Sequence, residues 1–279
     1  MQGSNCYYLN GKYFSDDENH LSINNRSFRY GDGFFETIKI INGEFLLKDL
    51  HFERIKRSLE ILKLKFQKNF SIELLEQNIL QTVKKNKHQS LARVRINFFR
   101  KDGELFEANN HQCNILIQSF KLNEAFNELN KNGLIIDFYP DAKKSTDIFS
   151  NIKTNNYLAY TMAAIWAKEN KLNDALLLNC NNHISDSCIA NIFLVVGENI
   201  ITPSLASGCV NGVMRKNIIQ QLHINKINVI EKNISIDEVL KADEVFLTNA
   251  IKGISWVKQC GNSTYTNFKI QNIYKQIFS

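Results

Sequence analysis

The sequence predicts an α+β protein of two domains, a small α+β domain at the N-terminal end and a larger, β-rich domain after it. Two observations carry the prediction. Strand-like and helix-like patterns are interspersed, with no internal repeat and no low-complexity stretch. The segment "KLNEAFNELNKNG" then breaks the pattern: it is polar, with few large apolar residues, and short β-rich runs dominate the chain after it. The boundaries read from this are 1–120 for the small domain, 121–131 for a linker and 132–279 for the larger domain. With 279 residues, 44% of them hydrophobic, the chain can bury a substantial core.

In the first domain, "RYGDGFFETIKIINGEFLLK" holds two β-rich runs around Asn42-Gly43, a dipeptide that favours a type I′ hairpin turn. Phe52, Ile55, Leu59 and Leu62 recur at helical spacing. A second helix starts near Ser71, a suitable N-cap, with Ile72, Leu75, Ile79 and Val83 on its inner side. "ARVRINFF" alternates like a half-exposed strand, and "CNILIQSF" supplies another. In the second domain, "GLIIDFY" and "DALLLN" are strands, separated by a helix over about 155–170 with Leu158, Met162, Ile165 and Trp166 available for packing. "NIFLVV" and "NIITP" are strands joined by a tight turn at Gly197-Glu198-Asn199. "GCVNGVMRKNIIQQL" runs from a glycine-bearing loop into a helix, and Ser235 with Glu238 has capping-box spacing ahead of the strand in "ADEVFLTNA".

The net charge of +6 comes from scattered basic residues, and the densest run, Lys84-Lys85-Asn86-Lys87, reads as a solvated helix end, which argues against a nucleic-acid partner. No charged-then-apolar leader and no bilayer-length apolar run is present, so the expectation is a cytoplasmic protein without a membrane partner. The six cysteines lie far apart with no C-x-x-C pair, which indicates neither a metal site nor a disulfide framework. They read as reduced thiols, several in the core.

Four features can carry chemistry. Lys153 in "SNIKTNNYLAY" is on bland grounds a surface lysine; placed between β-forming residues and an apolar helix, it can also point into a cleft, where a desolvated amine forms Schiff bases. Arg54 in "HFERIKRSLEIL" is either a snorkelling helix arginine or an anion clamp. Gly212-Val213-Met214 is either a tight turn or a helix N-terminus offering N–H groups to a phosphate. Asp186 in "DSCIANIFLVV" is either a loop aspartate or a charge delivered to a sheet edge.

Taken in order, "YGDGFFET", "HFERI", "IKTNNYL", "DSCIANIF", "ITPSLASGCVNGVMR" and "ADEVFLTNA" resemble the class IV, or fold-type IV, aminotransferase family of pyridoxal-phosphate enzymes over nearly the whole chain. The resemblance implies that Lys153 holds the cofactor as a Schiff base and later shuttles a proton. It implies that Arg54 binds the phosphate, helped by the N–H groups of Val213 and Met214 and by the Thr248-Asn249-Ala250 turn. Asp186 stands where the family has a glutamate facing the pyridine nitrogen, with the spacing to Asn191 kept. Tyr157 would reach the cofactor ring or its phenolic oxygen. A homodimer acting on a small amino substrate is also implied.

Within the family, "DSCIANIF", "VNGVMR" and "TNAIKGI" resemble the aminodeoxychorismate lyase branch, whose activity forms 4-aminobenzoate and pyruvate for folate synthesis. Branched-chain enzymes more typically carry a threonine-rich turn at the last of these. Phe35 lies where D-amino-acid aminotransferases carry a tyrosine. The alternatives are an aminotransferase for branched-chain or D-amino acids, and a homologue that binds a phosphorylated ligand without catalysis. An aspartate in place of the glutamate shortens the reach to the ring by one methylene.

Overall fold

The computed structural model describes residues 5–278 apart from 69 and 108–109. They form two compact units. The first runs up to Glu124 and takes in Lys153–Asn156; the second comprises Ala125–Ile152 and Tyr157 onward. The polar segment after "CNILIQSF" contains a single 3₁₀ turn, Glu124–Asn127, at this division.

In the first unit, β1 (Cys6–Leu9), β2 (Lys12–Ser15), β3 (Gly33–Ile41), β4 (Glu44–Phe45), β5 (Leu91–Arg100) and β6 (Cys113–Lys121) form one sheet in the order β2-β1-β6-β5-β3-β4, every pair antiparallel. The β3–β4 hairpin turns at Asn42 and Gly43, both with positive φ (51° and 79°), as a type I′ turn requires. The short helix α1 (Arg26–Tyr30) precedes β3. One face of the sheet is apolar: Phe34, Ile38, Val94, Ile96, Phe98, Ile115 and Ile117 are buried under α2 (Lys48–Ile61) and α3 (Ile72–Lys85). The helices meet it with the residues their periodicity predicts, Phe52, Ile55 and Leu59 from α2 and Leu75, Ile79 and Val83 from α3. Ser71 caps α3 by accepting from the Leu74 N–H at 3.2 Å. Period-2 alternation sends Phe35, Thr37, Lys39, Arg93, Arg95 and Asn97 to the other face.

In the second unit, β7 (Leu134–Lys144), β8 (Asp174–Asn179), β9 (Ile184–Ser187), β10 (Asn191–Val196), β11 (Asn199–Pro203), β12 (Val229–Lys232), β13 (Glu244–Asn249) and β14 (Gly253–Cys260) follow the order β12-β11-β10-β13-β14-β7-β8-β9, with Ser263–Thr264 pairing on β14. The pairs β14–β7, β7–β8 and β11–β12 are parallel and the rest antiparallel. A core of Ile136, Leu176, Ile184, Ile192, Leu194, Val245, Leu247 and Val257 fills one side. Phe193 and Phe246, register partners on β10 and β13, are fully buried and stack with centroids 4.9 Å apart. The capping box closes as the spacing predicts, Ser235 and Glu238 each bonding the other's backbone N–H.

The helix predicted near 155–170 is α4 (Leu158–Glu169), but a different face is buried. Tyr160, Ala163 and Ala167 pack inward with Tyr139, Ala175 and Leu177, while Leu158 (68%), Met162 (43%) and Ile165 (45%) stay exposed. The small alanines allow the helix to lie close to β7 and β8, which larger side chains would prevent. Trp166 is partly buried, edge-on to Tyr139 at 5.8 Å. Of the cysteines, Cys113, Cys188, Cys209 and Cys260 are buried, and all six are unpaired thiols. No helix among the described residues is long and apolar enough to cross a membrane.

The stacked aromatic pair gives a stability prediction. Phe246→Ala removes a fully buried ring and its partner's stacking face, so urea unfolding should show a loss of about 3–5 kcal/mol.

Candidate active site

Lys153 joins the first unit through its backbone. Its carbonyl accepts from the Phe35 N–H at 2.9 Å, Asn155 N–H donates to Gly33 O at 2.9 Å, and Thr154 bridges Phe34, so the segment lies as a short antiparallel edge on the start of β3. Gly33 is required there: a Cβ would sit 2.3 Å from Phe98 O and 2.7 Å from the Asn155 amide. The Lys153 ammonium lies 4.8 Å from the Phe35 ring centroid, and the Arg95 guanidinium lies 3.9 Å from the same ring.

Arg54 meets β3 at the next residue, from the opposite face. Its Nε donates to Glu36 Oε2 at 3.0 Å and its Nη2 to Oε1, a forked pair that fixes the guanidinium plane. Glu36 is 1% exposed and also bonds His51 Nδ1 at 3.1 Å. Burial works to raise the Glu36 carboxyl, but Arg54 and then His51 outweigh it and hold the group far below the usual carboxylate range. Sequence motifs point to Arg54 but not to the groups that hold it. The available signals are a lone acid in the apolar run "GFFETIKI" and the i,i+3 spacing of His51 and Arg54.

Asp186 lies in the second unit, on β9, and is 2% exposed. Three groups donate to its carboxylate. Lys144 Nζ lies 3.2 Å from Oδ1 and 3.1 Å from Oδ2, Tyr160 Oη lies 3.0 Å from Oδ2, and the Val210 N–H lies 2.9 Å from Oδ2. Burial first, and then the Asp186 charge, raise the Tyr160 phenol well above its ordinary value, so it stays a donor. Asn191 reaches the same loop: its Nδ2 donates to Val210 O at 2.8 Å. Asp186 and Asn191, five residues apart, thus hold Val210 at both its N–H and its C=O. Tyr157 stacks on Tyr160 at 4.2 Å and donates to Cys188 O at 3.0 Å.

That loop leads into α5 (Val213–Ile224), whose N-cap is Gly212. A Cβ on Gly212 would lie 2.0 Å from Asn191 Oδ1, so a side chain that could cap the helix is sterically forbidden. The first-turn N–H groups, Val213 and Met214 included, therefore have no partner within the helix or from its cap. Asn191 is the register partner of Thr248 on β13, which brings Thr248 beside this helix start. Thr248 is 2% exposed and its Oγ1 is buried with no hydrogen-bond partner. Asn249 Oδ1 accepts from the N–H groups of Ile251 (3.0 Å) and Lys252 (2.9 Å), which closes the turn containing Ala250. An unused hydroxyl, uncapped N–H groups and a positive dipole end make an anion-binding donor set. Among the described residues no cluster of three or more histidine, cysteine, aspartate or glutamate side chains is arranged to hold a metal.

The sequence-predicted residues fall in two groups. Lys153 and Arg54 belong to the first unit; Asp186, Val213, Met214, Asn249 and Ala250 belong to the second. Residues 33–260 match the family described as "Amino-transferase class IV", and the chain belongs to that family. Its enzymes use pyridoxal phosphate. The chain is 25% identical to an aminodeoxychorismate lyase of Bacillus subtilis over 283 residues, covering 96% of this chain and 93% of that protein. It is also 25% identical to an aminodeoxychorismate lyase of Vibrio harveyi over 240 residues, covering 85% and 86%. The crystal structure of a branched-chain aminotransferase from Thermoproteus uzoniensis superimposes with a TM-score of 0.88 at 25% identity, covering 99% of this chain and 94% of that one.

The Glu36 knot predicts a pH-dependent stability. Its folded carboxyl is depressed, so its stabilisation is complete above the ordinary glutamate value of 4.5 and disappears as pH falls below it. Glu36→Gln should cost about 3–5 kcal/mol near pH 7, because Arg54 loses its buried counter-charge. The gap to the parent in urea titrations should narrow steadily below pH 4.5.

Proposed function

We propose that this enzyme is a 4-amino-4-deoxychorismate lyase that forms 4-aminobenzoate and pyruvate and contributes to folate synthesis. The observation that carries the choice within the family is the turn after Thr248. It is closed by Asn249 accepting two backbone N–H groups, in the "TNAIKGI" form that resembles the lyase branch. The near full-length likeness to two proteins named as aminodeoxychorismate lyases supports the same choice.

Pyridoxal phosphate, when bound, supplies a carbonyl that takes up an amine and a ring that accepts the electrons of a breaking bond. The donor set at α5 fits its phosphate: Val213 and Met214 N–H groups and the Thr248 hydroxyl would bind it, with the Asn249-Ala250 turn beside them. Arg54, its plane fixed by Glu36, would add the charge. Lys153 would hold the cofactor covalently, release it to the substrate amine, and then take the proton from the substrate's amino-bearing carbon. Arg95, sharing the Phe35 ring with Lys153, is suited to a substrate carboxylate. Asp186 would face the pyridine nitrogen. Cleavage of the ring C–O bond would release enolpyruvate, which takes up a proton to become pyruvate in balance with the one removed from the amino-bearing carbon; the substrate ring becomes aromatic, and no amino acceptor is consumed.

A second reading, an aminotransferase, is favoured by the superposition on the Thermoproteus uzoniensis enzyme. The proposal also takes the protein as a cytoplasmic homodimer; the exposed Leu158, Met162 and Ile165 are compatible with a covered surface.

Two measurements check this reading. Purified protein with pyridoxal phosphate and aminodeoxychorismate should release 4-aminobenzoate and pyruvate in equal amounts, and should form little glutamate from amino acids plus 2-oxoglutarate; the reverse pattern makes it an aminotransferase. Thr248→Val should leave the cofactor-free protein as stable as the parent or slightly more so, because it removes an unsatisfied buried hydroxyl. The same change should weaken cofactor binding by about tenfold, equivalent to one lost hydrogen bond of about 1.4 kcal/mol.

A further inference from the structure

The least expected group in the second unit is Lys144. It ends β7 beside an exposed Lys143, yet it is only 8% exposed. All three of its N–H groups have acceptors: two reach the Asp186 oxygens and the third reaches Gly208 O at 2.7 Å. The arrangement is built to hold it. Gly208 has a φ of 81°, and a Cβ there would lie 2.4 Å from the carbonyl of Ser145, the residue after Lys144, so a larger residue would force these segments apart.

The donors on Asp186 are unevenly shared between its oxygens. Oδ2 takes Lys144 at 3.1 Å, Tyr160 at 3.0 Å and the Val210 N–H at 2.9 Å. Oδ1 has only the longer contacts to Lys144 at 3.2 Å and Tyr160 at 3.3 Å, so it is the less firmly held oxygen. The other titratable groups facing this pair are neutral near neutral pH: Tyr160 is raised by burial and by Asp186, and burial pushes Cys209 to about 11. Tyr157 stacks behind Tyr160, and the Arg215 and Glu231 charges that also act on Cys209 are paired with each other at 2.5 Å. Lys144 is thus the cation that neutralises Asp186.

We propose that Lys144 is a positioning residue: it fixes the short Asp186 carboxylate as an anion and shares it with the cofactor's pyridine nitrogen, weakening that nitrogen's hold on its proton. The inference rests on the reading that Asp186 faces the nitrogen. Two cations on one carboxylate repel, so the nitrogen loses its proton at lower pH than it would beside an unshared carboxylate. A weaker electron sink suits a reaction whose product gains an aromatic ring more than one that depends on the sink alone.

The test uses holoenzyme reconstituted with pyridoxal phosphate labelled with ¹⁵N in the ring, titrated by NMR. In Lys144→Met the nitrogen should keep its proton to a pH higher by about one unit. Lys144→Gln, neutral but still able to donate to Asp186, should do the same and is read in its place if the methionine variant does not fold. Asp186→Asn should move the titration the other way. A response to Asp186→Asn with none to either lysine variant overturns the inference and leaves the placement of Asp186 standing. No response to Asp186→Asn overturns that placement and the inference with it.

Discussion

The backbone of Val210 is held on both sides of its Cα, its N–H by Asp186 and its carbonyl by Asn191, and much of the second unit's candidate site depends on that double hold. It fixes the path of the loop into α5 and therefore where the uncapped N-terminus of that helix points. It also explains Gly212, since the amide that grips Val210 occupies the space a Cβ would need. Two residues five apart in sequence can do this because β9 and β10 bring them to the same loop. Asp186 can serve as one arm because it is itself immobilised by Lys144 and Tyr160. A buried carboxylate with fewer donors would carry a large desolvation cost and would favour its neutral form.

The first unit solves a similar problem in another way. Adjacent residues on β3 point to opposite faces, so Glu36 holds Arg54 on the helix-covered side while Phe35 presents its ring to Lys153 and Arg95 on the other. One strand thus carries an immobilised guanidinium and a lysine whose backbone is tied to the strand edge. Both rest on packing that is cooperative with the core beneath: Glu36 stands among Phe34, Ile38 and Ile96, and α2 delivers Arg54 from the face that also buries Ile55 and Leu59.

Much of this is legible in the sequence where a local rule has one outcome. Asn42-Gly43 takes positive φ at both residues; Ser235 and Glu238 close a capping box; Ser71 caps α3. Lys153, Asp186 and the glycine before α5 are singled out in the sequence by motif order rather than by any single residue, and the roles given to them are proposals. The buried face of the helix after Tyr157 is not legible. Large apolar residues mark a stripe, but the sheet beneath selects alanines for close approach. Lys144 is illegible for a related reason: Lys143 and Lys144 look alike in sequence, and only strand alternation sends one outward and the other to Asp186. Glu36 and His51 are hidden because a residue that positions another has no chemistry of its own to announce.

On the proposed function one lysine of this chain, Lys153, forms the covalent bond to pyridoxal phosphate. The most direct measurement is borohydride reduction of the yellow holoprotein with subsequent peptide mass mapping. The reduced cofactor is expected on Lys153 alone, with Lys144 unlabelled because its ammonium is committed to Asp186 and Gly208. Label on Lys144, or a colourless protein that takes up no cofactor, would contradict it.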